Sequence, residues 1–268
     1  MQEALALISS PLGWVIYFSC AILIGMSKAG IQNIGALTVP LFALLFGAKY
    51  STGIVLILLC IADLVAVIYY RKTFLWNEVK KLLPLAFVGL LAGLFIGNYI
   101  DDKSFKTIMA ICIIIGLLIM LFFESINQNK QATIVNKKWY SPIFGFILGI
   151  STMIGNAAGP VLSVYMLSKR LDKISFAATS AWFIILLNVT KIPLQAFVWK
   201  NLSWSGFYLN LMAIPFILIG GYIGIKLVQI LPEKLYKNSI KILLFISCII
   251  LLITLLNNNI DVAIMVFS

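Results

Sequence analysis

The run "TIMAICIIIGLLIMLFF" at residues 107–123 holds no charged residue, and no other feature restricts the fold as much. An uncharged apolar stretch of this kind approaches the roughly 20 residues an α-helix needs to cross a bilayer. Backbone N–H and C=O groups find no water in hydrocarbon, so only helices or closed barrels can span it. A barrel would alternate apolar and polar residues over ten-residue strands, and this chain does not. Of its 268 residues 62% are apolar and 11% charged, and the mean hydropathy is +1.06. A soluble domain has roughly half and a quarter respectively. The fold class is therefore all-α, a polytopic helical membrane protein.

Ten apolar segments are expected near 5–27, 31–47, 51–70, 82–99, 105–123, 140–155, 158–168, 174–198, 206–230 and 240–257. The polar stretch "ESINQNKQATIVNKKW" (124–139) divides them five and five. The halves resemble each other: "LFIG" (94–97) matches "GYIG" (221–224), and "DDKSFKTIM" (101–109) matches "PEKLYKNSI" (232–240). "YSTG" (50–53) likewise parallels "AATS" (177–180). Five crossings per half force opposite orientations, so the expected architecture is an inverted-topology repeat. Residues 1–123 form the first copy, 124–139 a cytoplasmic linker and 140–268 the second.

A formal charge of +11 would suit nucleic acid, but the placement of the cations argues for membrane topology instead. If the loop with Arg71, Lys72, Lys80 and Lys81 is cytoplasmic, alternation adds three further groups to that side. These are Lys130, Lys137 and Lys138; Lys169, Arg170 and Lys173; and Lys226, Lys234, Lys237 and Lys241. The other side receives only Lys49, Lys103, Lys106 and Lys200, so the balance is fourteen to four. Cytoplasmic loops carry such an excess, which sets both termini on the outer side. The N-terminal "MQEALALISSPLGW" lacks a basic leader and a small-residue cleavage site, so the first helix is expected to be retained. Cys20, Cys60, Cys112 and Cys248 are scattered without a CxxC pair, and there is no His. Cysteines of this kind read as small packing residues, and no metal or other cofactor is expected.

Segments 158–168 and 140–155 are short for a span, and 31–47 is marginal. The eleven residues of 158–168 reach only about 16 Å of a roughly 30 Å core. Segment 31–47 follows a Gly/Asn-rich join, so "GMSKAGIQNIGALTVP" (25–40) and "STMIGNAAGP" (151–160) are breaks at matching places. Matching interruptions in two halves point to a transporter binding site, because unpaired backbone in lipid survives only against protein or a watery cavity. A break also bares helix N-termini, which favour anions. Gly35, Gly155 and Gly159, with Gly30, would let ligand or backbone approach closely. Asn33 and Asn156 would add amides, and Gln32, Thr152 and Ser27 further polar contacts.

Three ionisable residues fall inside or beside apolar segments: Lys28, Asp63 and Lys191. Such residues are costly in lipid and mark function by default. Lys191, with Asn188, Thr190 and Gln195 at helical spacings, either serves an anion or snorkels about 10 Å to the outer edge. Lys28 is either part of the site or an ordinary flank. Asp63 is the sole acid deep in an apolar run, available to carry a coupling proton, pair with a lysine or cap a helix.

Four stretches together resemble the sulfite exporter TauE/SafE family: "GMSKAGIQNIGALTVPLFALLFG", "IADLVAVIYYRKTFLW", "STMIGNAAGPVLSVYML" and "TSAWFIILLNVTKIP". The likeness covers nearly the whole chain in order, departing from the family's frequent Gly-Gly-Gly run at both breaks. It implies a bacterial inner-membrane carrier, an exporter of sulfite or small organosulfonates such as sulfoacetate. Substrate contacts are then expected from Lys28, Gln32, Asn33, Gly35, Thr152, Gly155, Asn156, Gly159, Asn188 and Lys191, with Asp63 as the coupling group. The expected partners are a small anion and the lipid bilayer, with no nucleic acid, and a homodimer is left open. A carboxylate carrier and an anion channel remain alternatives; an enzyme is disfavoured, since no activated nucleophile or acid cluster is present.

Overall fold

In the computed structural model, residues 7–8, 10–126 and 128–256 are described; all the regular structure among them is helical. The helices are α1 (Pro11–Ala29), α2 (Thr38–Phe46, entered through a 3-10 turn at Ile34–Leu37), α3 (Ala48–Tyr69), α4 (Trp76–Tyr99) and α5 (Asp102–Ser125). They continue as α6 (Gln128–Val135), α7 (Tyr140–Gly155), α8 (Ala158–Ser168), α9 (Lys173–Leu194), α10 (Trp204–Ile230) and α11 (Glu233–Leu256). Five of the spans, α1, α3, α4, α9 with its π-helical extension to Trp199, and α10, are long and apolar enough to cross a membrane. The chain is a multi-pass helical membrane protein.

Local chemistry fixes several ends. Ser10, Asp172 and Ser203 cap α1, α9 and α10, accepting from the N–H of Gly13, of Ile174 and Ser175, and of Gly206, each at 3.0 Å. Partial burial pushes the Asp172 carboxyl up, but the Ser175 side chain and the capped N–H groups outweigh it, so it sits below the usual carboxylate range. The Ser10 cap sets the start of α1 at Pro11, while α4 and α11 start at Trp76 and Glu233, before their expected apolar runs, α4 without a side-chain cap at Leu75. Residues 5–6, 9 and 257 of the expected segments lie outside the described residues. Within the expected linker 124–139, Gln128–Val135 folds into the eight-residue α6. Its end is held down by a buried Val135 and by Lys169, which donates to the Val135 carbonyl at 3.4 Å.

Packing interleaves the two halves. Helix α1 lies along α10, and α4 lies along α7. Both contacts are backbone-to-backbone: a methyl group on Gly25 or Gly220 would overlap the carbonyl of Ile217 or Ile22, and one on Gly89 or Gly149 that of Phe146 or Ala86. Small residues permit such approach where apolar lipid gives helices no solvent-driven reason to associate. Between these pairs α3 and α9 cross at the centre.

The basic loops converge on one end of the bundle. There Glu78 at the start of α4 accepts from Tyr165 (2.6 Å) and pairs with Lys169 (3.5 Å), both from α8. Lys173 at the start of α9 donates to the Leu231 carbonyl (2.7 Å) after α10, and Gln229 donates to Tyr69 (2.5 Å) at the end of α3. The opposite end gathers Lys49, whose ammonium lies 5.6 Å from the Trp199 ring, and Asn201, which donates to the Lys49 carbonyl at 3.1 Å.

Candidate functional site

Both breaks turn on an asparagine in the left-handed region. After α1 the chain passes Gly30, reverses at Asn33 (φ 72°) and enters the 3-10 turn. After α7 two residues, Asn156 (φ 52°, ψ 24°) and Ala157, make the turn; the Asn156 N–H bonds the Thr152 carbonyl at 3.1 Å and that of Ala157 the Ser151 carbonyl at 3.2 Å. Asparagine is among the few side chains that tolerate this backbone. It also leaves the amide free for long-range bonds. Asn33 donates to the Ile240 carbonyl on α11 (3.2 Å), and Asn156 to the Thr52 carbonyl on α3 (3.1 Å). The breaks meet each other: a Cβ on Gly159 would stand 3.0 Å from Asn33 Oδ1, and Ser163 donates toward Gln32 (3.3 Å) and Asn33 (3.4 Å).

The central helices bring charges to this junction. Lys28 Nζ lies 3.0 Å from Asp63 Oδ1. Asn188 Nδ2 donates to Asp63 Oδ2 at 2.6 Å. Lys191 Nζ donates to Asn188 Oδ1 and Thr152 Oγ1, both at 3.3 Å, and to Asn156 Oδ1. Asp63, Asn188 and Lys191 are wholly buried. Isolated buried charges are expensive, so the ladder of polar groups is what makes them tolerable. Lys191 therefore turns inward rather than snorkelling, and Lys28 pairs with Asp63 rather than standing as a free flank. Among the described residues Lys191 has only neutral hydrogen-bond partners, so the cluster sets two lysines against one aspartate.

A cavity of about 60 Å³ lies where these elements meet. It has room for about two waters at roughly 30 Å³ apiece. Of the residues expected from sequence, Lys28, Gln32, Asn33, Gly35, Asp63, Thr152, Asn156, Gly159 and Asn188 line it. Two do not: Gly155 ends α7 beside it, and Lys191 reaches it only through Thr152, Asn156 and Asn188. Ala158 and Gly159 in the first turn of α8 also face the cavity, and Ala157 before them offers no capping side chain. First-turn N–H groups without a side-chain cap suit an anion. Thr190 instead bonds its own helix at Leu186 (2.8 Å), and buried Gln195 is not among the lining residues.

Sequence reasoning missed Ser180 and Thr38, which line the cavity. Ser180 is the more telling, since its buried hydroxyl has no partner among the described residues. Its only sequence signal was a small polar residue in an apolar run, and such hydroxyls commonly bond back to their own helix. The opposite wall is apolar, built from Ile24, Val39, Val55, Leu59 and Ile184.

A family model for "Sulfite exporter TauE/SafE" matches residues 17–251, which include both breaks and the charged cluster. No curated protein and no solved structure matches the chain.

Proposed function

We propose that this chain, which belongs to the sulfite exporter TauE/SafE family, is a secondary carrier that exports small sulfur-containing anions by alternating access. The observation that carries the reading is the cavity between the two breaks, bordered by Asn156, Thr152 and Asn188 while Lys191 stands behind them without a carboxylate. Its size suits a three-oxygen anion such as sulfite. Its apolar wall suits the short carbon chain of an organosulfonate of the sulfoacetate type.

In this reading the anion lies against the first turn of α8, held by Asn33, Asn156 and Ser180, and Lys191 balances its charge through the polar groups it bonds. Lys28 is drawn from Asp63 toward the anion. Asp63 then becomes a buried carboxylate with less compensation, and acquiring a proton removes that cost. Proton and anion therefore move together, which makes Asp63 the coupling group. The matched packing of α1 on α10 and α4 on α7 supports an inverted repeat, since exchanging the halves turns one pair into the other. The gathering of basic loops at one end supports a cytoplasmic placement of that end in an inner membrane.

The test is sulfite uptake and efflux in proteoliposomes with a pH gradient. Asn156→Leu and Lys191→Leu should each abolish saturable sulfite flux while the protein still inserts. Unchanged flux in both variants refutes the site, and non-saturating currents would make the protein a channel instead.

A further inference from the structure

A second cavity lies at the basic end, away from the break site. It is a crevice of about 420 Å³ between the end of α3, the start of α9 and the end of α10, lined by Tyr69, Arg71, Lys72, Thr73, Ile174 and Gln229. Two helix C-termini point at it, and their bared carbonyls would repel an anion. Lys173 offsets this by donating to the Gln229 carbonyl (3.2 Å) and the Leu231 carbonyl (2.7 Å) at the end of α10. Arg71 and Lys72 have no ion-pair partner among the described residues and remain as full charges. The nearby Asp172 does not line the crevice, and its carboxylate is occupied in capping α9. Next in the chain to the lining residues Tyr69 and Gln229, Ile68 and Ile230 are 68% and 75% exposed. A polar, cationic pocket thus opens beside apolar side chains at the end of membrane-spanning helices.

We propose that this crevice holds the headgroup phosphate of an anionic phospholipid, with its acyl chains lying over Ile68 and Ile230. Basic pockets between transmembrane helices on the cytoplasmic side take such headgroups, at a contribution of about a factor of five per cation. A zwitterionic choline headgroup would bring a cation toward Arg71 and Lys72, and a free phosphate would leave the apolar flank uncovered. The proposal does not depend on which solute the break site carries.

The test uses the full chain in non-ionic detergent, with phosphatidylglycerol, phosphatidylcholine and inorganic phosphate titrated separately against its thermal midpoint. Phosphatidylglycerol should raise the midpoint, and the other two should not. Arg71→Gln with Lys72→Gln should weaken that response about thirtyfold, whereas Lys137→Gln with Lys138→Gln, an equal loss of charge elsewhere at the same end, should preserve it. Ile174→Trp fills the crevice without altering charge, should abolish the response, and decides the matter if the Arg71/Lys72 variant does not fold. An equal response to phosphatidylcholine or to inorganic phosphate, or an undiminished response in Ile174→Trp, overturns the proposal.

Discussion

The two breaks use the same backbone device and differ in how their lysines are matched. At the first, Lys28 faces Asp63 at 3.0 Å, a paired charge beside a long, looping join. At the second, Lys191 reaches three neutral oxygens around the two-residue turn of Asn156 and Ala157. The difference teaches that two breaks built on one backbone device can match their lysines in different ways. In the proposed reading the Lys28–Asp63 pair is satisfied within the protein, and Lys191 is the charge left for a solute to neutralise.

The sharpest way to break this comparison is to unpair the first lysine. Asp63→Leu should cost about 3–5 kcal/mol, the penalty for stranding a buried partner, whereas Lys28→Met with Asp63→Leu should recover most of it. Equal thermal midpoints for the single and double variants would mean that the pair is not satisfied as described. Next in size, Lys191→Met removes the charge that acts on the solute through Thr152, Asn156 and Asn188, an effect of about 1.5–3 kcal/mol on its binding. Sulfite affinity measured by stabilisation or flux should fall about ten- to hundredfold. Lys28→Met should lower it less, and a reversed order would exchange the roles of the two breaks.

Backbone contacts give a smaller contrast. Gly149→Ala drives a methyl into the Ala86 carbonyl and should cost about 1–3 kcal/mol by overpacking. Gly159→Ala meets only the Asn33 side chain at 3.0 Å, so its stability should change less while sulfite affinity drops. Ser180→Ala should have the least effect on stability, within about 0.5 kcal/mol, because a hydroxyl without a partner contributes no bond to lose. Its sulfite affinity should fall a fewfold, and a variant as good as the parent would remove Ser180 from the solute's contacts.

Much of this was legible in the residues. The apolar runs locate the helices to within a turn over most of the chain, and the missed extensions are the polar first turns of α4 from Trp76 and of α11 from Glu233, where hydropathy carries no signal. Asn33 and Asn156 stand out as polar residues at the breaks, but their left-handed backbone role does not follow from composition. Helix α6 was hidden because its polar composition looks like a loop until Val135 finds a place to bury. Thr190 and Ser180 look alike in sequence. One bonds its own helix and the other faces the cavity, and only the rotation of α9 against α3 separates them.

The sequence by itself determined the apolar segments, the two breaks between them and the presence of Lys28, Asp63 and Lys191 in or beside those segments, because a bilayer enforces hydrogen bonding and hydrophobicity segment by segment. Tertiary structure alone decided that Lys28 meets Asp63 while Lys191 meets Thr152, Asn156 and Asn188. Partnership between remote segments depends on how helices cross and rotate, and no local pattern of residues encodes that.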